Sequence, residues 1–290
     1  MRNKVDTAIG YRVDSRGQQT WGFVCDEDDD AFEINTLFKL HLDPKYKDVS
    51  SYAPAHDEAQ EWYRDYLASL YHYIMRFFAD RIPHFEAKNL EFVFSVPTTW
   101  KDPGMIADIE RLIRSAGYGK QENQKVSVSL TEAEAAAVYA SKQLMQKGDV
   151  FLVCDCGGGT TDINVLKVTS SAISKTQLEP LLCNEGVAIG STLIDFKVKK
   201  MLMERLNMIR ADVQGDLEAA AKRMIQDRFL SYKCAFGSGA MNVPKLPLPI
   251  PDLAPGQDFP YASVENSNII LTSYVDVGTW YDGASANSMQ

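Results

Sequence analysis

The stretch VFLVCDCGGGTTDINVL, Val150 to Leu166, sets three consecutive glycines, two threonines and two aspartates between two apolar, β-rich runs. A plain hairpin turns with far less. DVFLVCDC reads as a buried strand, and TDINVLKVT as a second strand after the glycines. Because the glycines lead into a strand and not a helix, the dinucleotide fingerprint is excluded, and no Gly-x-x-x-x-Gly-Lys-Ser/Thr loop occurs. A glycine-rich turn between strands can still aim successive backbone N–H groups into one concavity that holds phosphate oxygens. Lacking a Cβ, its backbone can approach a phosphate closely. Asp155 and Asp162 flank the turn with two carboxylates, which suit a Mg2+ ion that rides on nucleotide phosphates and keeps most of its waters. Thr160 adds a hydroxyl. The alternative, a flexible hairpin loop, leaves this density of functional groups without a purpose.

Upstream, the text alternates between strand and helix patterns. LEFVFSVP predicts a strand, and Asp102 followed by Pro103 predicts an N-cap and a first-turn proline. Met105, Ile106, Ile109, Leu112, Ile113 and Ala116 make the apolar face of a helix ended by Gly117 and Gly119. KVSVSL is a strand, and TEAEAAAVYASKQLM a helix with Thr131 and Glu134 in capping-box spacing. This alternation predicts an α/β domain with a mixed sheet. Still further upstream, Thr7 to about Val24 reads as short strands, and CDEDDDAF as a solvated acidic turn. EINTLFKLHLDP reads as a short helix or extended segment ending at Pro44. Asp57 to Asp80 is a long amphipathic helix whose aromatic stripe (Trp62, Tyr63, Tyr66, Tyr71, Phe77, Phe78) is expected to pack into a core. Downstream, the pattern is helical from Ser191 to about Phe236, with Leu193, Phe196, Met201 and Leu202 on one side. VPKLPLPIPDLAPGQDFP reads as a proline-rich extended connection, NIILT as a last strand, and SANSMQ as a frayed end.

The 290 residues are enough for a substantial core and two domain-sized units. A net charge of −9 argues against a nucleic-acid or anionic-membrane surface. No apolar run approaches the roughly 20 residues needed to cross a bilayer, so no membrane partner is expected and the cytoplasm is the default. The five cysteines (Cys25, Cys154, Cys156, Cys183, Cys234) are scattered and odd in number, as reduced thiols would be. Cys154 and Cys156 form a CxC pair of a kind that can ligate metal, but with no second Cys/His pair nearby they are read as alternate residues on one strand face. With four scattered histidines, a zinc site is not expected.

DCGGGTTDINVL resembles the second phosphate motif of the Hsp70 nucleotide-binding domain, a member of the actin/hexokinase/Hsp70 ATPase superfamily. Three other stretches agree in order and spacing: FVFSVPTTW with the strand ending in Val-Pro, LTEAEAAAVYA with the connecting segment, and NEGVAIGSTLIDFKV with the segment of paired glycines. The Gly-Ser-Thr form, WGF and FKLHLDP are closer to the divergent HSPA12-like and fungal Hsp70-like branch. The resemblance spans roughly residues 5–275. It implies an actin-like ATPase (ribonuclease H-like) α/β fold of two lobes, residues 1–148 and 149–290, with a mainly helical subdomain from about residue 191. It also implies ATP or ADP and Mg2+ as cofactors. Gly157, Gly158 and Gly159 would present N–H groups to the β- and γ-phosphates, with Thr160, Thr161 and Gly190 also at the nucleotide. Thr160 would contact the γ-phosphate, and Asp155 and Asp162 would hold Mg2+ through waters. Glu132 would orient the attacking water, leaving Glu134 to capping, and Lys39 would neutralise charge on the transferred phosphoryl. Client proteins or cochaperones are the implied protein partners.

Departures qualify that resemblance. The first phosphate hairpin and the late adenosine segment have no counterpart in the chain, so the fold is expected to be truncated at both ends, with ATP hydrolysis weak or absent. Exposed sheet edges are then expected to favour pairing with another chain. The connecting-segment proline is Ala133, and one paired glycine is Ser191. The competing reading is a non-catalytic remnant or interaction scaffold. A sugar or acetate kinase of the same superfamily fits less well, since no candidate sugar-binding aspartate is evident.

Overall fold

A computed structural model describes residues 5–15, 17, 19–26, 29–46, 53–100, 102–140, 146–172, 175–181, 185–187, 189–236, 238 and 244–272. The expected frayed end at SANSMQ, the last residues of the TEAEAAAVYASKQLM helix and Cys183 lie outside them. The chain forms two compact units, Met1–Ile189 and Gly190–Gln290. The lobe boundary expected at 148/149 falls inside the first of these.

The first unit begins with an antiparallel sheet of order β2-β1-β3, from β1 (Ala8–Arg12), β2 (Gln19–Trp21) and β3 (Phe32–Thr36). The segment expected as a short helix or extended run holds both: its start lies in β3, and Leu40–Leu42 forms a single 3-10 turn. The chain reverses at Leu37, whose φ of 58° is left-handed, a geometry costing about 1 kcal/mol or more for a residue with a Cβ. Phe38 and Leu42 then bury completely and anchor the turn. Helix α1 (His56–Ala79) lays Tyr66 and Leu67 on a core that includes Ile9, Phe38, Ile113 and Tyr118. Its aromatic stripe packs on the core as far as Tyr71. Phe77 and Phe78 are more than a third exposed, and the Arg81 guanidinium lies 3.7 Å from the Phe77 ring centroid.

Strands β4 (Leu90–Val96) and β5 (Gln124–Thr131) pair in parallel, joined by helix α2 (Pro103–Ser115), as parallel neighbours need a long crossover. Asp102 caps α2 as expected, its carboxylate accepting from the Gly104 N–H at 2.9 Å. Helix α3 (Glu132–Ala140) follows β5 directly. Its start is held by a reciprocal box: the Thr131 N–H donates to Glu134 (2.9 Å) and the Glu134 N–H to the Thr131 hydroxyl (3.1 Å). The last sheet of this unit is antiparallel, with order β6 (Val150–Cys156), β7 (Thr161–Ala172), β8 (Lys175–Pro180), and β9 (Glu185–Val187) also on β7. Parallel and antiparallel pairing are thus both present, in separate sheets rather than the single mixed sheet expected. Nor is β6 a buried strand. Its residues alternate, and Val150, Leu152, Cys154 and Cys156 all face solvent.

The second unit packs α4 (Thr192–Met208), α5 (Leu217–Met224) and α6 (Leu230–Ala235) with a sheet of order β10-β12-β11. Its core is built from Val198, Leu202, Leu206, Met224, Phe229, Leu248 and Ile269. Of the residues expected to share one side of this helical region, Leu202 is fully buried but Phe196 is exposed. The proline-rich segment is not a bare connection either. Lys245–Pro249 is β10, paired with β12 (Asn268–Thr272) at the sheet edge, where proline is tolerated; β11 is Val264–Glu265.

Candidate functional site

The Lys39 ammonium lies 2.5 Å from the Glu132 carboxylate, although 93 residues separate them. Each side chain is only partly exposed, and the Lys39 nitrogen lies 5.9 Å from the centroid of the buried Trp100 ring. Phe38 and Leu42 fix the turn that carries Lys39, while the capping box fixes the first residue of α3, which is Glu132. As a half-solvated pair it adds about 1 kcal/mol or less to stability. Its importance is positional.

Leu40, one residue beyond Lys39, touches the glycine turn. A Cβ on Gly159 would lie 2.2 Å from Leu40 Cδ2 and 3.1 Å from its Cγ, so the turn approaches the Lys39 segment only because position 159 has no side chain. Within the turn the Gly157 N–H donates to the Thr160 carbonyl at 2.8 Å. That N–H therefore closes the hairpin in this conformation, rather than pointing at a phosphate as the resemblance implied.

Asp155 and Asp162 are directly opposite each other in the β6–β7 register and so leave the same face. Asp162 is buried. One carboxylate oxygen accepts from the Thr160 hydroxyl at 3.0 Å, and the other has no hydrogen-bond partner. Burial raises the Asp162 pKa above its ordinary value, the Thr160 hydroxyl opposes this, and the negative charges of Glu132 and Asp155 add to the rise. Five expected site residues, Lys39, Glu132, Asp155, Thr160 and Asp162, thus fall in one neighbourhood of the first unit. Thr161 is adjacent, its hydroxyl donating to the Ile189 carbonyl at 2.8 Å. Gly158 is exposed at the turn's tip. Gly190 belongs to the second unit, where its carbonyl accepts from the Leu193 N–H.

Several neighbours of the site were not singled out from sequence. A Cβ on Gly186 of β9 would stand 2.3 Å from Asp162 Oδ1 and 2.7 Å from the Thr99 methyl. Asn164, fully buried two residues beyond Asp162, donates to Thr98 at 3.4 Å. Tyr63 has its hydroxyl pKa pushed upward by burial and then by the Glu132 charge. The one legible signal was the VPTTW text, which brings Thr98, Thr99 and Trp100 to the end of β4. No group of three or more His, Cys, Asp or Glu side chains among the described residues is arranged to hold a metal directly. In the second unit, an open depression of about 780 Å³ is bordered by Arg205, Lys245, Asp258 and Glu265, and no expected site residue lines it.

Among solved structures, the chain is similar to MreB 5 of Spiroplasma citri bound to AMPPNP, with a TM-score of 0.53 and 12% identity over 97% of this chain and 68% of that one. The chain has an actin-like ATPase fold. No protein-family profile and no curated protein matches it. No helix among the described residues is long and apolar enough to cross a membrane.

The buried Asp162 carries a pH signature. Its pKa is higher in the folded chain, so the folded state holds the proton more tightly than the unfolded one, and stability falls as pH rises from about 4 through the raised value. Asp162→Asn is expected to flatten that part of the stability–pH curve, read from urea midpoints of both proteins. Parallel curves for the two would contradict the assignment.

Proposed function

We propose that the first unit is a Mg-ATP site of the Hsp70-like kind, closest to the divergent fungal branch, whose parent activity is ATP hydrolysis coupled to lobe movement. The observation that carries this reading is the Lys39–Glu132 pair beside the glycine turn. Two residues chosen for complementary roles in phosphoryl transfer meet across the fold and next to the phosphate motif. Gly158, Gly159, Thr160 and Thr161 line the phosphates in this reading, and Gly190 is assigned to the nucleotide by the resemblance alone. Lys39 supplies positive charge to the transferred phosphoryl and Glu132 orients water, both positioning and electrostatic roles.

The donor set suits Mg2+, because Asp155 and Asp162 are hard carboxylates on one strand-pair face, and one or two such groups suffice when waters and phosphates fill the rest. The ion would supply charge neutralisation at the phosphates. The AMPPNP in the similar MreB structure belongs to that protein and motivates the choice of ligand. Client proteins or cochaperones and a cytoplasmic setting complete the proposal.

Calorimetry with Mg-ATP tests it. The unmodified chain is expected to bind, and Asp155→Ala to weaken binding by about 10-fold or more. No heat up to millimolar ATP from the unmodified chain would sink the reading.

A second reading is a non-catalytic interaction scaffold of the same fold. Val150 and Leu152 on β6 are 54% and 61% exposed, an apolar strand face of the kind protein partners cover. Absent nucleotide binding would favour it.

A further inference from the structure

Cys154 and Cys156 sit two residues apart on β6, so both side chains leave the face opposite to that of Asp155. Both are exposed free thiols, and their sulfurs are 3.4 Å apart. The surrounding face is equally open: Leu152 lies one step along the strand, and Ile163, directly across from Cys154, is 44% exposed.

We propose that Cys154 and Cys156 form a vicinal-dithiol site that captures a single thiophilic centre, a soft cation or a trivalent arsenical, between their two sulfurs. Distance selects a bridging atom over a direct bond. Two thiolates on one tetrahedral ion, each about 2.3 Å from it, lie roughly 3.8 Å apart. The observed separation needs to open by only a few tenths of an ångström. A disulfide requires about 2 Å, more than an ångström of closure. It would also join Cα atoms about 6.7 Å apart on an extended strand, near the upper limit for such a bridge.

The donor type selects soft ions, because thiolates prefer them and leave Mg2+ or Ca2+ to oxygen ligands. With no third His, Cys, Asp or Glu grouped there among the described residues, the ion keeps its other positions open to water or a further thiol. The site therefore differs from a closed structural zinc centre, which needs four protein ligands. It is also independent of the nucleotide proposal, since it needs neither ATP nor the carboxylates.

Phenylarsine oxide is the direct probe. Its arsenic forms two As–S bonds as two S–H bonds break, and both thiol protons leave with the oxide oxygen as a single water. Arsenic stays trivalent and no oxidant is consumed. The reduced full chain is expected to gain a single adduct by intact mass, stable to excess 2-mercaptoethanol and released by 2,3-dimercaptopropanol. Cys154→Ser and Cys156→Ser should each lose it, whereas a chain with Cys25, Cys183 and Cys234 all changed to Ser should keep it. Stoichiometric Cd2+ added first should block capture. Circular dichroism of each variant separates lost capture from lost folding. An adduct that washes away with monothiol, that persists in either single variant, or that disappears from the triple variant would overturn the proposal. So would a pair that oxidises to a disulfide but captures no arsenical once reduced.

Discussion

Glu132→Ala is expected to lower single-turnover phosphate release by about 100-fold or more while Mg-ATP binding persists. That magnitude is what a positioned group acting on a proton or an attacking water typically supplies. Glu132 sits at the first turn of α3, held there by the Thr131–Glu134 box and not by its own hydrogen bonds to the helix. Removing its side chain should therefore leave α3 intact. It also frees Lys39, whose charge then turns wholly to the phosphates, so binding should hold or tighten. Lys39→Ala separates the roles, since it should weaken both binding and turnover. If the unmodified chain turns over and Glu132→Ala keeps pace with it, the catalytic assignment fails although the binding site survives. A chain that binds without any turnover removes the catalytic role as well.

The largest effect on stability is expected at Tyr118. Its ring is 2% exposed and stands edge-on to three others, with centroids 4.8 Å from Tyr71, 4.9 Å from Phe92 and 5.1 Å from Phe94. This cluster joins α1, β4 and the turn after α2. Tyr118→Ala is expected to cost about 3–5 kcal/mol, the lost burial plus a cavity that the three remaining rings cannot collapse to fill. Against a typical total of about 5–15 kcal/mol, that is a large share. Urea unfolding should show a lower midpoint at unchanged slope for the first unit's transition. A loss below about 1 kcal/mol would mean that the cluster closes over the gap.

Much of this architecture was legible because its signals are local. The Asp102–Pro103 start of α2, the Thr131–Glu134 box and the alternation around the three glycines each depend on residues within one turn of each other. The errors came where burial depends on what lies across from a residue. β6 reads as buried because it is apolar on both faces, yet its Val150, Leu152 and cysteine face is open. KLPLP reads as a connection because of its prolines, yet the edge of a sheet accepts it. Gly186 carried no legible weight. Its role arises from the Asp162 carboxylate and the Thr99 methyl closing on it from other strands.

By itself, the sequence determined the α/β pattern and the helix starts, and it marked the residues proposed for phosphate and a divalent ion. Hydrogen-bonding periodicity and side-chain chemistry act over a few residues and are written directly in the text. Only the tertiary structure decided that Lys39 meets Glu132 and that Leu40 presses on Gly159. Those contacts join residues up to 119 positions apart along the chain, and packing of separate elements, not local preference, brings them together.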